Sequence, residues 1–218
     1  MQKQSIFLFI FIVLGLIIIS AFVISIIKEK PIKENLNETS FLSEPIIFAN
    51  DPVLGNITTQ IAIIEFGDFK CSACQKVEIT LKEILKKYPN QVKLIWKGIP
   101  GHSESQNALL ASYCAQEQGQ FWKYHDLLFS NQDKLDQQNI YFELAQNINL
   151  DLKKFDYCLN NQTFLDLIQE NMTQAQKLRI DSTPYFFIGK KNFSGALSFE
   201  KFQMIIEEQI KNMKTFDN

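Results

Sequence analysis

The chain has 218 residues, of which 46% are hydrophobic and 21% charged, and carries a net charge of −2. That length suits one domain plus a targeting or membrane segment, not two large domains. The near-neutral balance argues against nucleic acid as a partner, and the 19 phenylalanines supply ample material for a core.

Ser5 to Ile27 is a run of 23 residues without a charge. About 20 such residues span a bilayer as a helix, so residues 1–27 are expected to form an N-terminal membrane anchor. A removed signal peptide is the alternative, but it would have a shorter apolar run. Cutting after Ala21 would also leave the apolar stub Phe22–Ile27. No cysteine lies in or just after the run, which excludes a lipoprotein anchor. Lys3 precedes the span and Lys28, Lys30 and Lys33 follow it, so the charge count slightly favours a cytoplasmic domain. Long domains translocate largely regardless of charge, and four cysteines favour an oxidising compartment. The expected location is therefore the cell membrane, single-pass, with the domain on the periplasmic or cell-wall side.

Residues 28–44 are polar and aperiodic and read as a linker. Pro45–Phe48 is expected as a short edge strand, and Asp51–Asn56 as a turn. Thr59–Phe66 is nearly continuously apolar, as in a strand covered on both faces. After it, Cys74, Val77, Leu81, Ile84, Leu85 and Tyr88 make one stripe of an amphipathic helix that Pro89-Asn90 ends. Val92–Trp96 is a second strand, parallel to the first because a helix connects them. Residues 104–178 read as successive helices broken by polar turns. Pro184–Ile188 and Asn192–Ala196 are a hairpin across Gly189–Lys191, and Phe199–Met213 is a closing helix. The order is β-α-β, helical insert, β-β-α, which is an α/β fold.

Cys71-Ser72-Ala73-Cys74 stands where the first strand delivers the chain to the first turn of the helix. Cysteines three apart on a helix share a face and can bridge. A helix N-terminus stabilises an anion, so the first thiol there ionises easily, and the thiolate is the form that attacks a disulfide. An inert bridge is a weak alternative because so short a loop removes little chain entropy. Zinc is another, but two thiols are half a tetrahedral shell and no adjacent Cys/His pair completes it. A copper-handling thiolate module is a further rival, against which stands the lack of Met or His ligands around the motif.

Several stretches together resemble the DsbA-like thiol–disulfide oxidoreductases, which have a thioredoxin fold with a helical insert. They are Asp51–Asn56, Ile64–Cys74, the run Tyr113 to Phe129 with its Gln-Gly-Gln-Phe-Trp, and Ser182–Gly189. The resemblance covers about residues 45 to 213. It implies a thioredoxin-like domain from 45–103 and 179–218, with 104–178 as the insert. It further implies that Cys71 is the nucleophile and Cys74 the resolving partner in a redox-active disulfide. Glu65 would relay a proton to Cys74, and Thr183 would precede a cis-Pro184 and offer its backbone to a substrate strand. Cys114 and Cys158 match a cysteine pair of one subgroup, implying a structural disulfide; two buried free thiols are the alternative. Asp68 is expected to cap or precede the helix, and His102 and His125 to be surface or packed residues. Strongly oxidising members carry a His inside the motif, and Ser72-Ala73 lacks it, so a milder oxidant is expected.

The implied function is a membrane-tethered protein-disulfide oxidoreductase acting outside the cytoplasm. It would introduce disulfides into exported proteins, need no cofactor beyond its dithiol, and be re-oxidised by a quinone-linked membrane protein. A reductase or isomerase on the same fold is the alternative reading.

Overall fold

The computed structural model describes residues 42–102, 104–137 and 139–216. The apolar run 5–27 and nearly all of the linker lie outside the described residues. Among the described residues no helix is long and apolar enough to cross a membrane.

Five strands form one mixed sheet in the order β1-β3-β2-β4-β5: β1 Val53–Gly55, β2 Ile61–Gly67, β3 Val92–Gly98, β4 Tyr185–Ile188 and β5 Lys191–Ser194. Helix α1, Ser72–Lys87, joins β2 to β3, which pair in parallel with Ile61 opposite Val92 and Glu65 opposite Trp96. β4 runs antiparallel to β2 with Phe186 opposite Glu65, and β5 closes a hairpin on β4. Between β3 and β4, among the described residues, lie five α-helices and a short 3-10 helix, Gln132–Lys134: the α-helices are α2 Ser105–Gln116, α3 Phe121–Ser130, α4 Ile140–Asn147, α5 Leu152–Asn160 and α6 Leu165–Lys177. The chain ends on α7, Phe199–Phe216.

The two-residue period of the strands decides what each face meets. Ile61, Ile63, Val92, Leu94, Phe186 and Ile188 pack with Val77, Leu81 and Ile84 of α1 and Phe202, Ile205 and Ile206 of α7. Ile64, Phe66, Ile95 and Phe187 face the other way, onto Ala175 of α6. By the same parity Glu65 lies on the face that α1 covers. A third cluster fills the insert, and it includes Phe69, Cys74 and Trp96. The sheet and the insert therefore share the wall around the CxxC motif. Gly67 serves that wall: a Cβ there would collide with the Trp96 ring and stand 3.2 Å from Glu65 Oε1.

Two expectations fail near the front of the domain. Pro45–Phe48 is not a strand; the edge strand is Val53–Gly55, inside the segment read as a turn, and it pairs antiparallel with Lys93–Ile95. The stretch before it is held by side chains instead. Ile46 N–H donates to Gln174 Oε1 at 2.8 Å, and Phe48 N–H donates to Asp51 Oδ2 at 2.7 Å. Asp51 also pairs with Lys97 Nζ at 2.6 Å, with both side chains fully buried. Lys97 Nζ donates to Asn171 Oδ1 of α6 and lies 4.5 Å from the Phe48 ring centroid. Breaking one partner of such a pair costs about 3–5 kcal/mol, because the other charge is left buried alone.

Candidate active site

β2 ends at Gly67, and the loop 68–70 carries the chain to α1. Cys71 is the N-cap of that helix, and its sulfur accepts the Cys74 N–H at 3.4 Å. The first-turn amides of a helix have no partners within it and carry partial positive charge. The sulfur at that position therefore gains as an anion. Both sulfurs are free in the structure, the reduced state of the pair; Cys71 is partly exposed and Cys74 buried.

The Cys71 thiol is pulled down from the ordinary 9.0 to about 5. Its largest cause is the hydrogen bond from the Cys74 thiol; burial opposes it, while Thr183 and the Cys74 and Ala73 amides assist. The value falls between thioredoxin's roughly 7 and DsbA's roughly 3.5. No cationic side chain sits inside the motif, so backbone and thiol donors do the stabilising. Cys74 moves the opposite way. Its hydrogen bond to Cys71 raises it most, followed by burial and the Glu65 charge. One thiol of the pair is thus ready to ionise, and the other resists.

Glu65 lies on β2 and is completely buried. Burial holds its carboxyl well above the usual range, and the Glu78 and Cys71 charges push it the same way. Neither of its oxygens has a hydrogen-bond partner. On the open side of Cys71, the Thr183–Pro184 peptide bond is cis and the Thr183 carbonyl oxygen lies 3.2 Å from Cys71 Sγ. The chain enters β4 at Tyr185, so the Thr183 backbone lies beside the Cys71 sulfur just before that strand.

The profile of the family described as thioredoxin matches residues 49–208. The chain belongs to the thioredoxin family. It is 26% identical over 211 residues to a probable disulfide bond formation protein D of Bacillus anthracis, covering 90% of this chain and 91% of that protein. It is 30% identical over 162 residues to Na(+)/H(+) antiporter NhaA 3 of Salinispora tropica, covering 73% of this chain and 24% of the antiporter. The chain thus spans about a quarter of the antiporter's length. Among solved structures, oxidised BdbD from Bacillus subtilis superposes with a TM-score of 0.68 at 24% identity, covering 74% of this chain and 94% of that one. The family is thus the one whose DsbA-like branch of thiol–disulfide oxidoreductases the motifs resemble.

The insert of this thioredoxin-family chain grips the redox loop at several points. Gln132 Nε2 donates to the Phe69 and Cys71 carbonyls at 2.7 and 3.0 Å. Gln75 Nε2 donates to the Phe129 carbonyl at 2.6 Å, and Lys70 Nζ pairs with Asp136 at 2.7 Å. The insert's own cysteines, Cys114 of α2 and Cys158 of α5, are joined by a disulfide. Asp68 precedes α1, as expected, while Cys71 is the N-cap of that helix. Asp68 is buried and accepts from the Lys70 and Gly101 amides, with His102 Nδ1 at 2.6 Å. It thus staples the cysteine loop to the loop after β3.

His125 is fully buried among Phe69, Trp96, Phe121, Trp122 and Phe129, with ring centroids 4.9 to 5.8 Å away. Glu78, which sequence reasoning passed over, is buried on α1 one turn beyond Cys74. Its place at i+4 from Cys74, on the apolar stripe, was the available signal. Among the described residues the one three-ligand cluster that would suit a metal is Glu78, His125 and Asp126, and it does not include the cysteines.

Proposed function

We propose that this protein is a membrane-tethered thiol–disulfide oxidoreductase that donates the Cys71–Cys74 disulfide to proteins exported from the cytoplasm. The observation that carries the reading is the split between the two thiols: Cys71 partly exposed and lowered to about 5, Cys74 buried and raised. A low thiolate pKa stabilises the reduced state, and a couple whose reduced state is stable is an oxidant. This supports the oxidising direction over the reductase or isomerase alternative.

In this reading an exported protein's thiolate attacks Cys71 Sγ and Cys74 departs, leaving a mixed disulfide on Cys71. The thiolate must approach the partly exposed sulfur, because Cys74 is walled in. An extended substrate segment pairs with the Thr183 backbone, whose carbonyl stands 3.2 Å from that sulfur. Glu65 delivers the proton that the departing Cys74 takes up, a role suited to a carboxyl held protonated by burial. A second substrate thiolate then attacks the mixed disulfide and releases Cys71 as its stable thiolate. The Cys114–Cys158 bridge stays outside this cycle and braces the insert. A quinone-linked membrane protein returns the pair to its disulfide, and the run 5–27 keeps the enzyme beside that partner.

The test is to express Cys74→Ala in the native cell and isolate whatever is disulfide-linked to Cys71. Exported proteins with cysteines, and one membrane redox protein, are expected. An empty trap on a folded protein with a free Cys71 thiol would sink the reading. A reduction potential near thioredoxin's roughly −270 mV, in place of one well above it, would favour the reductase.

A further inference from the structure

On the seam between α1 and α3, two buried polar groups face each other without a hydrogen bond. Glu78 of α1 is 7% exposed, and His125 of α3 is 0% exposed. Glu78 Oε1 and His125 Nε2 lack hydrogen-bond partners among the described residues. They stand 3.6 Å apart, too far to bond to each other. An unsatisfied buried polar group costs about 1–3 kcal/mol, so two that meet across one seam call for a reason. Their spacing supplies one. Two ligands bound at about 2.0–2.1 Å to a tetrahedral zinc sit about 3.3–3.4 Å from each other. Asp126 adds a third donor: one ligand atom from each of Glu78, His125 and Asp126 lies within 4.8 Å of the other two. Asp126 Oδ1 lies 3.2 Å from His125 Nδ1. Asp126 Oδ2 meets Lys82 Nζ at 2.8 Å, where both side chains are close to half exposed. An open groove of about 360 Å³, lined by Gln75, Glu78, Lys82, Asp126 and Phe129, gives solvent access to both carboxylates.

We propose that Glu78, His125 and Asp126 are a zinc site on the seam between the CxxC helix and the helical insert. His125 binds through the unpartnered Nε2 and Glu78 through Oε1. The Asp126 carboxylate swings off Lys82 and the other ring nitrogen to become the third ligand, which its half exposure allows. Water from the groove takes the fourth position, so three protein ligands leave one place open. One imidazole and two carboxylates suit zinc, whereas calcium and magnesium take oxygen ligands. The two carboxylates also balance the charge of the ion. The cysteines lie outside this set, so the site stands whether or not the exchange reading holds. The bound ion would cross-link α1, one turn beyond Cys74, to α3 of the insert. It would reinforce the hydrogen bond from Gln75 to the Phe129 carbonyl, which joins the same two helices.

Calorimetric titration of zinc chloride into the oxidised full-length protein in detergent tests this. With the cysteines held in disulfides, no thiolate competes for the ion. Saturable binding of one zinc per chain is expected, with no binding of calcium. Glu78→Gln keeps the shape but loses the anionic ligand, and Asp126→Asn does the same at the groove. Each should weaken zinc binding by about tenfold or more, since even loss of a group behind a ligand does that much. Lys82→Ala removes the competitor for Asp126 and should tighten binding about two- to fivefold, the worth of an exposed ion pair. Zinc should also raise the melting temperature of the wild type and leave that of Glu78→Gln unmoved. A wild type without saturable zinc binding would overturn the site. So would unchanged affinity in Asp126→Asn, which carries the test alone should Glu78→Gln not fold. Calcium bound as tightly as zinc would overturn the assigned metal class. Thiol exchange is not part of the readout, so failure of the zinc site and failure of the proposed function are distinguishable.

Discussion

Cys71 and Cys74 lie three residues apart at the start of α1, whereas Cys114 and Cys158 are 44 residues apart and join α2 to α5. The first pair stands where the sheet, the insert and solvent meet. The second is buried inside the insert, with both residues almost wholly inaccessible. The chemistry of the side chain is the same, and its surroundings decide what it does. At the first site unpaired helix amides favour a thiolate and partial exposure admits another sulfur. At the second no helix terminus stabilises an anion on an open sulfur, and what remains is a cross-link between two helices. A loop of that length stabilises by about 4 kcal/mol in the chain-entropy account.

The sharpest way to separate the pairs is to disable each in turn. Cys71→Ser is expected to drop thiol exchange to the uncatalysed background while leaving denaturant unfolding of the reduced protein nearly unchanged below about pH 5, where the thiolate no longer contributes. Peptide-thiol oxidation and a urea melt measure the two effects. The double variant Cys114→Ala with Cys158→Ala should do the reverse. It loses up to about 4 kcal/mol of stability, while the exchange rate of the folded protein stays close to wild type. An exchange rate that collapsed with the insert bridge would mean that the bridge takes part in electron transfer, and the contrast between the pairs would fail.

The distinction was legible in the sequence where local pattern carries the information. A strand running into CxxC at a helix start fixes the Cys71 environment through three neighbouring segments. The family resemblance, not strand parity, pointed to Glu65 behind Cys74, because a run apolar on both faces does not say which face α1 covers. Where partners came from far away, the sequence was silent. The three-residue strand β1 shows no period of two, and Pro52 and Gly55 give its stretch the look of a turn. Lys97 looks like the polar end of a strand until Asp51, Asn171 and Phe48 surround it. Glu78 sits on the apolar stripe of α1 because an insert histidine faces it, and nothing in residues 72–87 announces that partner. Gln132 and Asp136 reach the redox loop from more than 60 residues away, beyond any motif.

Titration sharpens the comparison further. With a midpoint of about 5, Cys71 should alkylate at a nearly constant rate between pH 8 and 6 and slow only near pH 5 and below. An ordinary thiol of pKa 9.0 would slow about a hundredfold over the same span. The sign for stability follows from the folded value being the lower one. The thiolate's contribution to the reduced protein is full above pH 9, shrinks as the pH falls, and is gone below about 5. Absorbance at 240 nm locates the midpoint directly. A midpoint near 9 would make Cys71 no more reactive than a cysteine in an unfolded peptide.

The smallest expected effect concerns how the two regions are held together. The Lys70–Asp136 pair spans the redox loop and the insert, but Asp136 is 56% exposed and its charge is well solvated. A double-mutant cycle on Lys70→Ala and Asp136→Ala should return a coupling of about 0.2–1 kcal/mol, falling with added salt. The reduction potential should barely move, because Gln132 still fixes the Phe69 and Cys71 carbonyls from the insert side. Gln132→Ala should then shift the potential more than the cycle does, since it removes two hydrogen bonds made directly to the cysteine loop. If the order were reversed, long-range charge and not local hydrogen bonding would be what poises Cys71, and the insert's grip on that loop would have to be rebuilt around Lys70.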